Sequence, residues 1–353
     1  MLWPMLLRGV TMLQRLLRCT IWLLACGCWA AAQAQAQETP PAAAPAAAAQ
    51  ALERAANAVV GVQAVAVAGA RSADTLGRQR SGSGVVIDAD GLVLTIGYLI
   101  LEAEQVQLIT DDARRIPARI VAYDLATGFG LVRALAPLKL EPVPLGRGRE
   151  LQDEQLLMIV SGGEAGAVSA ARLVSRRAFA GYWEYLLDDA LFTAPPRADH
   201  SGAGLFNHRG ELVGIGSLIV ADAGTDAERR VPGNLFVPLD LLPPILPELI
   251  ARGRSSRSER AWLGINCVDA AGRVRVLRVN EDSPADVAGL EPGDVIIGLD
   301  GAPVQSLQGL WTALWQGGSR RAVQIDIERR GEKRSLTVHT VDRAATLRRA
   351  EGV

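Results

Sequence analysis

The sequence predicts a mainly β protein, and three observations predict it. Short apolar runs recur, such as VVIDADGLVLTI, QVQLIT, ARIVAYD, LLMIV and ELVGIGSLIV; Gly, Asp and Pro punctuate them; and stretches with helical period are few. Strands of this length between turn signals indicate a barrel or a sandwich. At 353 residues, 49% hydrophobic and 21% charged, the chain has material for about two or three domains. A net charge of −1 argues against nucleic acid as a partner, because phosphate binding needs a basic surface.

Taken in order, residues 1–36 read as a secretory signal. Arg15 and Arg18 precede an apolar stretch, Cys19 to Trp29, and the Ala-Gln alternation from Ala32 to Ala36 offers small-residue cleavage sites. A start at Met12 rather than Met1 gives a tidier basic region. The apolar run falls short of the roughly 18–20 residues of a membrane span. Leu23-Leu24-Ala25-Cys26 loosely matches a lipobox, which leaves a lipid anchor at Cys26 as the one open route to a membrane. Export to the periplasm is the expectation. Cys19, Cys26 and Cys28 lie in the removed segment, so Cys267 stands alone in the mature chain. No internal disulfide and no cysteine metal site can then form, and no metal or organic cofactor is expected.

Residues 37–50 are rich in Ala and Pro and predict a tether without fixed structure. Residues 51–250 carry the strand signals. Ser81 to Ile100 reads as two strands joined at Asp88-Ala89-Asp90-Gly91, and Ala198 to Ser217 sets a serine in a small, Gly-rich turn before another strand pair. Leu241 to Ile250 predicts a short helix or turn, and residues 251–260 a polar, basic linker. Residues 261–342 form a smaller module with a helix around Ser306 to Gln316, followed by a polar tail at 343–353.

The segments SGSGVVIDADGLVLTIGYLI and ADHSGAGLFNHRGELVGIGS together resemble the Deg/HtrA family of trypsin-like serine proteases. The module from Ala261, with AWLGI and EDSPADVAGLEPGDVIIGLDGAPV, resembles a PDZ domain of the bacterial protease type. The likeness runs from about Leu52 to Val341. It implies two six-stranded chymotrypsin-like β-barrels packed face to face, followed by an α+β PDZ domain.

Ser-His-Asp chemistry needs a base for the serine proton, a carboxylate to fix that base, and two N–H groups for the oxyanion. By resemblance the serine is Ser201. The family writes T-N-N-H where this chain has Thr95-Ile96-Gly97-Tyr98, so the base position falls on Tyr98. Its T-D-L-A-L-L appears as Thr127-Gly128-Phe129-Gly130-Leu131-Val132, so the acid position falls on Gly128. Asp199 takes the place of the oxyanion-hole glycine, where a carboxylate opposes the charge to be stabilised. All three histidines, His200, His208 and His339, lie at or beyond position 200. His200 adjoins Ser201 and is badly placed to reach its hydroxyl; His208 sits in a turn, and Lys139 in a Pro/Leu-rich stretch. Asp124 has no histidine to orient. Losing the base costs on the order of 10⁶-fold in turnover, or about 8 kcal/mol of barrier. Gly181 to Leu187, GYWEYLL, concentrates aromatics; if it blocks the old cleft, Trp183 or Tyr185 must lie near Ser201.

A PDZ domain adds a partner's C-terminal strand to an open sheet edge and holds its carboxylate in a loop of backbone N–H groups. By resemblance that loop is Trp262-Leu263-Gly264-Ile265, facing a helix with Leu310 and Leu314. Trp311 and Trp315 share one face of that helix. The sequence therefore predicts a catalytically silent, exported protease-like protein that binds exposed protein C-termini or unfolded segments in envelope quality control. The alternative is an active serine endopeptidase of the same family with a rearranged site at Ser201; a purely structural scaffold is a third reading. A homo-oligomer stays open, but Ala51 to Arg80 has no aromatic residue, which speaks against the family's trimer.

Overall fold

The computed structural model describes residues 43–225 and 230–348. The predicted signal with Cys26 and the end of the predicted tail lie outside the described residues. Helix α1, Ala43–Asn57, occupies much of the stretch where composition predicts a tether. Alanine has the highest helix propensity, and Ala55, fully buried, seats the helix on the barrel core.

The first barrel consists of β1 (Val59–Ala66), β2 (Gln79–Val86), β3 (Leu92–Ile96), β4 (Ala103–Ile109), β5 (Arg115–Tyr123) and β6 (Phe129–Ala134), with the one-turn helix α2 (Ala73–Leu76) between β1 and β2. It closes in the order β1-β2-β3-β6-β5-β4. The β2–β3 turn is the one read from Asp88 to Gly91: Asp88 Oδ1 accepts the Leu92 N–H at 2.7 Å, and Gly91 has φ +75°. The second barrel consists of β7 (Leu156–Ser161), β8 (Ala167–Gly181), β9 (Tyr185–Ala194), β10 (Gly204–Phe206), β11 (Leu212–Val220) and β12 (Gly233–Pro238), closed as β10-β11-β12-β9-β8-β7. Phe129 of one barrel and Phe192 and Phe206 of the other are fully buried in one shared cluster. Each such ring contributes about 1.5–3 kcal/mol of burial, so the two barrels stabilise one another.

After α3 (Leu246–Arg252) the chain reaches the PDZ-like module: β13 (Ala261–Trp262), β14 (Ile265–Ala270), β15 (Arg273–Val279), α4 (Pro284–Val287), β16 (Val295–Leu299), β17 (Ala302–Pro303), α5 (Leu307–Trp315), β18 (Ala322–Arg329), β19 (Glu332–His339) and β20 (Val341–Asp342). Its main sheet runs β14-β15-β16-β18-β19, so β14 is an edge strand. Ser283 and Ser306 cap α4 and α5 by accepting the N–H of Asp286 and Gly309. The stretch 251–260 is not a free polar linker. Ser255 and Ser258 are buried and donate to Asp124 Oδ1 at 2.6 and 2.8 Å, while Thr127 donates to Oδ2. A buried carboxylate needs donors on both oxygens, and the linker serines supply half of them.

Candidate functional site

Ser201 lies in the turn before β10, pressed against β2. Its carbonyl accepts the Ser83 N–H at 2.8 Å, and a Cβ on Gly202 (φ +73°) would stand 2.0 Å from the Ser83 oxygen. Only glycine fits there. Tyr98 comes from the 3-10 turn after β3, Gly97–Leu99. That turn is held by Arg80, whose Nη1 donates to the carbonyls of Tyr98 at 2.9 Å and Leu101 at 2.6 Å.

The two positions meet. The Tyr98 hydroxyl lies 2.7 Å from Ser201 Oγ and 2.8 Å from the Ser217 carbonyl oxygen. A carbonyl can only accept, so the single phenolic proton goes to Ser217, and the Ser201 hydroxyl donates to the phenol oxygen. Ser217 sits at a bulge in β11, where the register to β12 shifts between Gly216 and Leu218, which turns its carbonyl out of the ladder. Burial pushes the Tyr98 phenol up to about 12, against a smaller lowering by the Ser201 bond. At neutral pH the phenol is therefore protonated and donating, the opposite of what a base must be.

Gly128 lies at the end of the β5–β6 turn with φ +82°, and its carbonyl accepts the Gly97 N–H at 2.7 Å. A Cβ there would stand 3.0 Å from the Tyr185 hydroxyl, which donates to the Thr127 carbonyl at 2.5 Å. The space beside Gly128 thus holds a phenol. His200 Nδ1 donates to the Arg197 carbonyl at 3.0 Å, which leaves Nε2 as the accepting nitrogen, but the partner of Ser201 Oγ is Tyr98 and not this ring; His208, His339 and Lys139 are exposed. The Asp199 carboxylate turns to Arg197, with Nε at 2.8 Å, and to the Ser161 hydroxyl. Burial pushes it up, but those partners outweigh burial and hold it below the usual carboxylate range. Ser201 and Asp199 line one cavity of about 420 Å³ with Gly82, Ser161, Gly163 and Glu164. The aromatic that reaches Ser201 is Tyr98; Tyr185 is engaged at Thr127, and Trp183 stacks on Tyr185 with centroids 5.6 Å apart. Among the described residues no three His, Cys, Asp or Glu side chains converge as a metal ion would need.

In the second module, the loop before β14 aims its N–H groups at one point. Leu263 N–H donates to Glu184 Oε2 at 3.1 Å, and Gly264 and Ile265 donate to Oε1 at 2.8 and 3.0 Å. Gly264 has φ +86° and packs against Ser283, where a Cβ would stand 2.2 Å from that side chain. Glu184 sits at the tip of the β8–β9 hairpin and is 3% exposed. Burial pushes its carboxyl up, against Arg343 and the three amide donors, which pull it down. Trp262 pairs with Val341, and Leu310 and Leu314 are fully buried in the module's core. Trp311 donates its indole N–H to the Gly181 carbonyl at 3.0 Å, and Trp315 donates to Ala261 at 3.1 Å. Glu184 escapes a reading by residue type; its one signal is a lone acid inside an aromatic run.

Residues 82–215 match a trypsin-like peptidase domain, and residues 261–340 match a PDZ domain. The chain is 28% identical over 288 residues to a probable periplasmic serine endoprotease DegP-like of Ectopseudomonas mendocina, covering 74% of this chain and 57% of the relative. It is 28% identical over 286 residues to the putative serine protease HhoA of Synechocystis sp., covering 73% and 70%. It is 29% identical over 261 residues to the serine protease PepD of Mycobacterium tuberculosis, covering 68% and 56%. The chain thus spans little more than half the length of most of these relatives. In fold it is similar to the HtrA-type protease AlgW with decapeptide, at a TM-score of 0.51 and 22% identity over 86% of this chain and 99% of that one. The serine endoprotease from Yersinia pestis is similar at a TM-score of 0.51 and 23% identity, over 84% and 97%.

Proposed function

The chain is of the Deg/HtrA type, a trypsin-like peptidase domain followed by a PDZ domain, and from that premise we propose that it binds polypeptides without cutting them. Its clients are exposed C-termini or unfolded segments, met in the periplasm as part of envelope protein quality control. The observation that carries the silent site is the hydroxyl of Tyr98, 2.7 Å from Ser201 Oγ and committed as a donor to the Ser217 carbonyl. Proton transfer from Ser201 to a neutral phenol that already holds its own proton is uphill by the whole gap in acidity between a serine hydroxyl and a protonated phenol. With glycine at position 128 there is no carboxylate to hold a base in its place, and Tyr185 fills the space beside it. Binding is supported by the loop at 263–265, whose three N–H groups already hold a carboxylate. Periplasmic location is supported by relatives named as periplasmic endoproteases.

A second reading, hydrolysis at Ser201, is favoured by the open cavity beside that residue. A fluorophosphonate probe separates the two on the folded mature protein, with Ser201→Ala as control and mass spectrometry to locate the adduct. No adduct is expected. An adduct on Ser201 would mean that some group activates its hydroxyl, and the silent reading would be lost.

A further inference from the structure

We infer that the tip of the β8–β9 hairpin, Gly181 to Glu184, is an internal ligand of the PDZ groove and holds that groove closed within the same chain. Three separate contacts reproduce the three things a bound C-terminus does there. The Glu184 side chain supplies the carboxylate, with the N–H groups of Leu263, Gly264 and Ile265 all donating to its two oxygens. The Tyr182 carbonyl accepts the Cys267 N–H at 2.8 Å, a ladder bond on the free edge of β14, whose other edge is paired with β15. The Gly181 carbonyl accepts the indole N–H of Trp311 at 3.0 Å, which ties the hairpin to α5, the opposite wall. Ala180 and Leu186 flank the tip and pack on the module's apolar core.

The chemistry of the contact is selective. A hairpin that only rested on the module could meet it with carbonyls or apolar side chains. Here a buried carboxylate takes three amide donors, and Arg343 Nη1 donates to the Trp183 and Glu184 carbonyls at 3.4 and 3.3 Å. Glu184 holds φ +59°, a left-handed conformation uncommon for a residue with a side chain. Residues kept in that region mark places where surrounding contacts over-determine the backbone. Three N–H bonds to one carboxylate are such contacts.

This inference rests on the proposal that the groove takes polypeptide ends. A competing partner must offer a free C-terminal carboxylate and an apolar last side chain, because Leu263, Ile265 and Leu310 form the surroundings of the loop. Its binding releases the hairpin and lays open Trp183, which is half-buried in the closed form, while Tyr182 is already exposed. The groove's apparent affinity is its intrinsic affinity scaled by the fraction of open molecules, so removing the internal carboxylate must raise it.

The test uses the full mature chain, Glu184→Gly, which suits the φ of +59°, and Glu184→Gln, which keeps one acceptor. Hydrogen exchange at the amides of 263–265 and 267 is expected to be slow in the unmodified chain and fast at 263–265 in Glu184→Gly. A fluorescein-labelled peptide ending in valine, with a free carboxylate, is expected to bind Glu184→Gly at least about tenfold more tightly in fluorescence polarisation. Glu184→Gln should fall between, and the C-amidated peptide should bind none of them. Equal exchange in the unmodified chain and Glu184→Gly, or binding of the peptide by both with equal affinity, would overturn the inference. The expected exchange pattern with no peptide binding by any form would leave the hairpin seated as described and remove the proposal that this groove takes C-termini.

Discussion

Replacing Tyr98 by phenylalanine removes one oxygen and leaves two others without a partner. The Ser217 carbonyl loses its donor inside a residue only 4% exposed, and the Ser201 hydroxyl loses its acceptor. A buried polar group left unsatisfied costs about 1–3 kcal/mol, so Tyr98→Phe should destabilise the barrels by about 2 kcal/mol. Ser201→Ala removes one hydroxyl, yet the phenol keeps its bond to Ser217, so the expected cost is about 0.5–1 kcal/mol. The double variant should cost less than the sum, with a coupling of about 1 kcal/mol, because both single changes break the same bond. Urea denaturation followed by far-UV circular dichroism measures each value, with an unchanged m-value as the sign that only stability moved. In a domain of this size, 2 kcal/mol corresponds to a Tm lower by about 4–8 °C. If Tyr98→Phe were no more costly than Ser201→Ala, the phenol would not bridge the serine and the bulge. The hydrogen-bond directions assigned to the site would then be wrong.

Two further outcomes follow from the same geometry. Tyr98→His with Gly128→Asp should leave fluorophosphonate labelling on the order of 10⁴-fold below a working triad; position 128 has φ +82° and the new side chain would meet the Tyr185 hydroxyl, so rapid labelling would show that residue identity alone separates this site from a working triad. In the PDZ module, Arg329 donates Nε and Nη2 to the two oxygens of Asp294 at 2.6 and 2.7 Å, outweighing burial and holding that carboxyl below its usual range. Asp294 is 1% exposed on its side chain. Its contribution is full above the unfolded value of about 4 and is lost as pH falls through the lower folded value. Asp294→Asn should therefore cost about 3 kcal/mol at neutral pH and less in acid; a cost unchanged down to pH 2 in thermal melts would refute the pair.

Local chemistry was legible in the sequence, and partnerships across the fold were not. The Asp88–Gly91 turn, the helix around Ser306 to Gln316 and the strand periods are written within a few residues, and the structure carries them where the residues put them. Tyr98 stood out because it occupies a position with a known demand. What it touches did not, since Ser217 lies 119 residues away at a bulge that no alternation reveals. The same holds for Glu184, whose partners begin 79 residues on. Composition misled at α1, where alanine's helix propensity prevails over the proline-rich surroundings, and at 251–260, where serines that look solvated are drawn inward by the buried charge of Asp124.

The docking of Ser255 and Ser258 on Asp124 fixes more than a route for the chain. It keeps the PDZ module within reach of the hairpin even after the two part, so closure is a unimolecular event governed by an effective concentration in the millimolar range for a short tether. Dilution cannot open such a groove, and a competing peptide at micromolar levels meets an internal ligand that never diffuses away. On the proposal that the groove takes polypeptide ends, its sensitivity to them is set by tether geometry and by Glu184, not by how much of the protein is present.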